Sequence, residues 1–197
     1  MANGRTPRQQ QAEETKNRLI DSALKVFSTK GFAASTTKDI AKEAGVTDGL
    51  IYHYFKSKQD LIWAILERHT LVHHIQGMLA GLKPEMSTTN IVQHYVRSLF
   101  QMLKQNNDLI VLIYGEAQRD PDIRDRLAGI VSGGAKPLAA ALAGRSRLDE
   151  DALRHAVRNL QFAVVQYYLI LYRTRPDEEE LEHYLTATAN QFVTIIE

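Results

Sequence analysis

The chain has 197 residues, 44% hydrophobic and 24% charged, with a formal net charge of +1. That is enough for one or two small domains with a self-sufficient core. It contains no cysteine, which excludes disulfides, thiolate metal centres and a cysteine nucleophile. The polar start holds no apolar stretch of the kind a secretory leader needs. Apolar runs such as 109–114 and 162–172 fall short of the roughly 20 residues of a membrane span. A cytoplasmic chain with no membrane partner is therefore expected. The charge is uneven: residues 1–60 carry ten Lys and Arg against seven Asp and Glu, and residues 61–197 carry fourteen against sixteen. A basic head on a slightly acidic body suits a reader of nucleic acid, although many ordinary domains show as much.

In chain order, residues 1–13 are polar and read as a flexible arm. Leu19, Ile20, Ala23, Leu24 and Phe27 then recur at helical spacing, and Gly31 ends that helix. Thr36-Thr37-Lys38-Asp39 is a capping box, with an acid three residues after a threonine cap. It opens a short helix with Ile40, Ala41 and Ala44 inside. Gly45-Val46-Thr47 breaks it, and a second short helix follows over 48–54. Ser57-Lys58-Gln59-Asp60 is another capping box. It starts a long helix with Leu61, Ile62, Ile65, Leu66, Val72, Ile75 and Leu79 apolar, ended by Lys83-Pro84-Glu85. Longer helices are placed at 88–105, 108–118, 122–143, 149–173 and 177–196, with Pro121 and Pro176 as first-turn prolines. No run alternates as a strand would. The fold class is all-α: three N-terminal helices with a helix-turn-helix, then a larger helical domain. The boundaries are 1–13 for the arm, 14–60 for the head and 61–197 for the remainder.

The informative stretch is 36–61. Two short helices meet at Gly45, with Ala41 small at their crossing, Val46 plugging the wedge and Ile51 facing inward. A helix-turn-helix is built this way, its second helix entering the major groove. Residues 15–61 resemble the DNA-binding domain of the tetracycline-repressor-like (TetR) family at Ala23, Phe27, Gly31, Phe32, Thr36, Asp39, Ile40, Ala41, Ala44, Gly45, Val46, Thr47, Gly49, Ile51, Tyr52, His53, Tyr54, Phe55, Lys58 and Leu61. The resemblance implies Thr15, Lys16, Thr36, Thr37, Lys38 and Lys58 near phosphate. It places Thr47, Asp48, Gly49, Leu50, Tyr52 and His53 on or beside the reading helix. A helix start rich in Thr and Lys suits phosphate on physical grounds as well; Arg5 and Arg8 of the arm are candidates to touch it, the alternative being a disordered tail. Tyr52 can meet phosphate or a thymine methyl, or simply pack. One departure stands out: many members have lysine where this chain has Asp48.

Residues 61–197 hold no catalytic signature, no acid–base pair and no cofactor motif, so neither an enzyme nor a cofactor is expected. His69 and His73, with His74 beside them, lack an acid or cysteine to complete a metal set, and no metal is expected. Gly133-Gly134 reads as a kink or helix break. Apolar character wraps around the 149–173 helix, which implies burial on more than one face. The resemblance implies a homodimer formed by the last two helices, through Val165, Tyr168, Tyr172, Leu185, Ala189 and Phe192. The alternative is that the penultimate helix is the core of a single chain. Tyr95, Phe100, Met102, Tyr114, Gln118, Phe162, Gln166 and Tyr167 are candidates to line a mostly apolar effector pocket, though each is also ordinary core. The expected function is a repressor released from a palindromic operator in double-stranded DNA by a small effector. The alternative is a regulator or activator with no effector.

Overall fold

The computed structural model describes residues 6–68, 77, 79, 82–83 and 85–197. Arg5, His69, Val72, His73, His74, Ile75 and Pro84 of the sequence reading lie outside the described residues. Among the described residues the chain is helical throughout: α1 Pro7–Lys30, α2 Thr37–Ala44, α3 Asp48–Tyr54, α4 Lys58–Arg68, α5 Thr88–Gln105, α6 Asn107–Glu116, α7 Pro121–Leu142, α8 Glu150–Gln166 and α9 Glu178–Ile196. A single 3₁₀ turn, Ala143–Arg145, follows α7, and a π-helical turn, Tyr167–Tyr172, prolongs α8. Packing divides the chain into two compact units, Met1–Thr70 with Asp108–Arg119, and Leu71–Asn107 with Asp120–Glu197.

In the first unit the apolar stripe of α1, Leu19, Ile20, Ala23, Val26 and Phe27, faces α2, with Ile40, Ala41 and Ala44, and α4, with Leu61, Ile62, Ile65 and Leu66, while α3, with Ile51, packs on α2; all these side chains are buried. Each large side chain among them stabilises by roughly 1.5–3 kcal/mol on burial. Helix α1 begins earlier than its apolar periodicity suggests, so residues 7–13 are helix and not a free arm. Thr6 accepts from the Gln9 N–H while the Gln9 side chain accepts from the Thr6 N–H, and Pro7 occupies the first helical position. These two turns are exposed on every side, which is why hydrophobic periodicity is silent there. The box at Thr36 and Asp39 is reciprocal, as the spacing predicts. So is the contact of Ser57 with Asp60 at the start of α4. Gly45 takes the left-handed conformation (φ 66°, ψ 37°) that ends α2.

In the second unit α8 packs against α5, α7 and α9. Helix α7 starts on Asp120, which accepts from the Asp122 and Ile123 N–H groups, with Pro121 first in the helix. It runs unbroken through Gly133, Gly134 and Pro137, so the glycine pair does not end the helix as expected. Among the described residues, Pro121–Arg145 is the one helical segment long and apolar enough to cross a membrane by length and composition. Its length comes from adding the 3₁₀ turn to α7, and Ile123, Ala135, Leu138, Ala139 and Leu142 are buried on it. Helix α9 is capped by Asp177 and carries Glu178, Glu179 and Glu180 in its first turn, where the helix dipole favours acids.

Candidate nucleic-acid interface and ligand site

The three-residue turn 45–47 joins α2 to α3, and Val46 donates its N–H to the Ala41 carbonyl at 3.0 Å. Ile51 faces inward at 1% exposure while Tyr52, its neighbour, is 55% exposed. The start of α2 and the middle of α3 are tied by one hydroxyl pair, Thr37 Oγ1 to Tyr52 Oη at 3.1 Å. This brings together two residues that the sequence assigned separately to backbone grip and base reading. Each hydroxyl keeps capacity for a further hydrogen bond. Lys38, Thr47, Gly49 and His53 are exposed, and Leu50 is half-buried. The His53 ring packs edge-on against Tyr54 at 5.2 Å. Lys16 is exposed, with its ammonium 5.9 Å from the centre of the Phe55 ring.

Other expected phosphate ligands are already spent. Thr36 Oγ1 donates to Asp39 Oδ2 at 2.8 Å and accepts from the Asp39 N–H. The hydrogen bond from Lys30 first, then those from Thr36, hold the Asp39 carboxyl at about 2. Thr15 donates to the Gln11 carbonyl one turn back. Lys58 departs furthest from its expected role. Its ammonium donates to the carbonyls of Phe32 at 2.5 Å, Ser35 at 2.9 Å and Ala33 at 3.3 Å, and lies 4.5 Å from the centre of the Phe32 ring. An ammonium has three protons, so none remains for a phosphate. Lys58 therefore pins the turn that delivers Thr36 and Thr37. Asp48 opens α3 with its Oδ1 buried and without a hydrogen-bond partner. That oxygen points away from solvent, which the sequence did not foretell.

The eight residues expected to line a pocket do not fall in one unit. Tyr114 and Gln118 belong to the first unit and the other six to the second. Phe100 and Tyr167 are core, joined with Tyr168 and Tyr172 in a ring cluster in which Phe100 meets Tyr172 edge-on at 4.8 Å. Tyr167 also stacks on Tyr184 at 3.9 Å. Met102 is buried, whereas Phe162 and Gln166 are exposed. Tyr95 is 1% exposed and its hydroxyl accepts from Gln161 Nε2 at 2.6 Å, while burial pushes its pKa up to about 12. Gln161, absent from the sequence reading, is buried with its Oε1 unpaired.

The six residues expected at a dimer interface, Val165, Tyr168, Tyr172, Leu185, Ala189 and Phe192, are all buried within the single chain. The physical reason is that α8 has three neighbours of its own, so apolar character all round it needs no second chain. The large apolar side chains that remain exposed on these last elements are Phe162, Ile170, Leu171 and Ile195. Among the described residues no group of three His, Cys, Asp or Glu is placed to hold a metal ion.

A helix-turn-helix head followed by a larger helical unit defines the class of helix-turn-helix transcriptional regulators. Residues 19–65 match the family profile of bacterial regulatory proteins of the tetR family. The HTH-type transcriptional regulator YerO of Bacillus subtilis is 32% identical over 108 residues, 52% of this chain and 36% of that protein. The chain spans at most about three-fifths of the length of the curated relatives it matches. Among solved structures, a TetR transcriptional regulator from Chloroflexus aurantiacus superposes with a TM-score of 0.76 at 20% identity, covering 95% of this chain and 98% of that one. The FadR regulator of Bacillus subtilis in complex with stearoyl-CoA superposes with a TM-score of 0.69 at 22% identity, covering 92% and 99%. At these identities the superpositions establish the fold. Residues 19–65, the helix-turn-helix head, thus match the tetR family, and the chain as a whole shares the fold of solved TetR regulators.

Proposed function

We propose that this protein is a cytoplasmic, homodimeric repressor that binds a palindromic operator through α2 and α3 and is released by a small, mostly apolar effector held in the second unit. The observation that carries the DNA half is the profile match over 19–65 falling on a correctly built helix-turn-helix, with Thr37 and Tyr52 joined across it. Phosphate and base contacts are assigned to Lys16, Thr37, Lys38, Thr47, Gly49, Leu50, Tyr52 and His53. Lys58 acts behind them, and Asp48 has one carboxylate oxygen buried. The functional division is a head at 14–60 and an effector and dimerisation domain at 61–197, with α4 and α6 packing on the head's side. The exposed apolar set on the last two helices, Phe162, Ile170, Leu171 and Ile195, supports dimerisation there.

The effector half is supported by the helical second unit and by the fold it shares with a regulator solved with stearoyl-CoA. An effector can release DNA only by binding the DNA-free state more tightly. Moving the population from about 1:99 to 99:1 needs about 5.5 kcal/mol of differential binding, shared between two ligands in a dimer. Reciprocity then requires operator DNA to weaken effector binding by the same factor. Calorimetric titration of effector with and without saturating operator tests this. Equal affinities would leave a DNA-binding regulator without an effector. Absence of any preference for a promoter fragment over random DNA, measured by fluorescence anisotropy, would remove the DNA half as well.

A further inference from the structure

Two buried polar atoms in the second unit lack any hydrogen-bond partner, Arg158 Nε and Gln161 Oε1. They stand three residues apart on α8, where side chains lie on one face about 5–6 Å apart. Both unpaired atoms therefore belong to side chains on the same face of α8. Arg158 is half-buried, and no hydrogen bond or ion pair to it is found among the described residues. Its neighbours are treated differently. Arg154, one turn earlier, is held by Glu150 and Asp151, and Arg97 of α5 is held by Glu182 and Thr186. A guanidinium with a sealed, unpaired N–H and no acid beside it is costly. A bridging water answers the hydrogen bond but not the charge.

Behind Arg158 stands the Gln161–Tyr95 pair. Its amide is adaptable. If the amide turns over, the Tyr95 hydroxyl donates to Oε1 and the amide N–H₂ faces outward beside the Arg158 N–H. Two donors then converge on one acceptor, one of them cationic. Tyr95 stays neutral throughout, so no buried negative charge competes for the site.

Resting on the effector reading above, we infer that the effector carries an oxyanion, a carboxylate or a phosphate, received by Arg158 and Gln161 with Tyr95 as the backing donor. The rest of the ligand is apolar, as in the effector reading above.

The test is titration calorimetry on the full chain with decanoate, decan-1-ol and stearoyl-CoA. Decanoate or stearoyl-CoA should bind at least ten-fold more tightly than decan-1-ol. Decanoate binding points to a carboxylate and binding of stearoyl-CoA alone to its phosphates. Arg158→Met should abolish that preference while leaving decan-1-ol unchanged, Arg158→Lys should keep most of it, and Gln161→Leu should lose part. Relieved of an unpaired cation, Arg158→Met should also fold with an unchanged or higher Tm, so lost binding is not lost structure. Equal affinity for acid and alcohol, no binding of either oxyanion at 1 mM, or full oxyanion affinity in Arg158→Met would each overturn the inference. If an oxyanion binds through Arg158 yet leaves operator affinity untouched, the site stands and the effector reading falls. If decan-1-ol releases the operator and Arg158→Met changes nothing, the reverse holds.

Discussion

The two units use half-buried cations in opposite ways. In the first, Lys58 spends all three protons on the carbonyls of one turn. In the second, Arg158 spends none that the described residues record, and its Nε is sealed from water. The same charge class thus fixes a backbone in one place and stands unanswered in the other. A cation with every donor engaged is architecture. One with none engaged is a vacancy in the hydrogen-bond ledger that architecture alone does not explain, and regulators tolerate such a cost where something is to be bound.

The comparison can be broken most sharply in the second core. Val165 is 7% exposed inside a single chain, so Val165→Asp should unfold the second unit, costing on the order of 4 kcal/mol or more. Leu171→Asp, at a position 54% exposed, should leave folding intact and weaken association. Denaturant unfolding beside sedimentation separates the two; a folded, monomeric Val165→Asp would restore Val165 to the interface. Next is Lys58→Ala, expected to destabilise the first unit by about 2 kcal/mol through carbonyls left unpaired. DNA affinity should fall with it while the salt dependence keeps its slope. A slope lower by about one with stability unchanged would mean that Lys58 holds phosphate after all.

A smaller effect attaches to the cap. Thr36→Ala should cost about 1 kcal/mol, read from the chemical denaturation midpoint, and should loosen the Thr37–Tyr52 contact. The smallest is in pH. The Asp39 carboxyl sits near 2 instead of the usual 3.8, first because of Lys30 and then Thr36. A depressed acid contributes stability that is complete above the unfolded value and is lost as pH falls through the folded one. Asp39→Asn should therefore flatten the acid limb of the stability curve between about pH 4 and 2 and leave its shape near pH 7 unaltered.

Much of the head was legible because its signals are local. Gly45, the capping boxes at Thr36 and Ser57, and the inward positions Ile40, Ala41 and Ile51 lie within a few residues of their partners. The helices at 88–105 and 177–196 were equally plain from periodicity. The carbonyl contacts of Lys58 were not legible, because its acceptors are main-chain groups 23 to 26 residues upstream, and a carbonyl has no letter in the sequence. The first turns of α1 were missed for want of an apolar face, although Thr6-Pro7 and Gln9 spell a cap. The burial of the expected dimer set within one chain was not legible, because a helix with three intrachain neighbours and one with two faces shared between chains have the same composition. Gln161 carried no signal; only the burial of its amide beside Tyr95 sets it apart.

The π-helical turn at Tyr167–Tyr172 has a consequence for how this chain can vary. Its mark is the Arg173 N–H reaching back five residues to the Tyr168 carbonyl at 3.1 Å. The additional residue widens one turn and lets Tyr167, Tyr168 and Tyr172 all turn inward toward Phe100. The stretch therefore works as a spacer of fixed count. Adding one more residue here, beyond the one the wide turn already absorbs, would swing everything after it by about 100° about the helix axis. Arg173 would lose Asn107 and Tyr172 would lose Glu178, and the near-ultraviolet dichroism of the ring cluster should collapse. Length changes in descendants of this sequence are accordingly expected in the exposed turn around 143–149 and not in this apparently uniform helix.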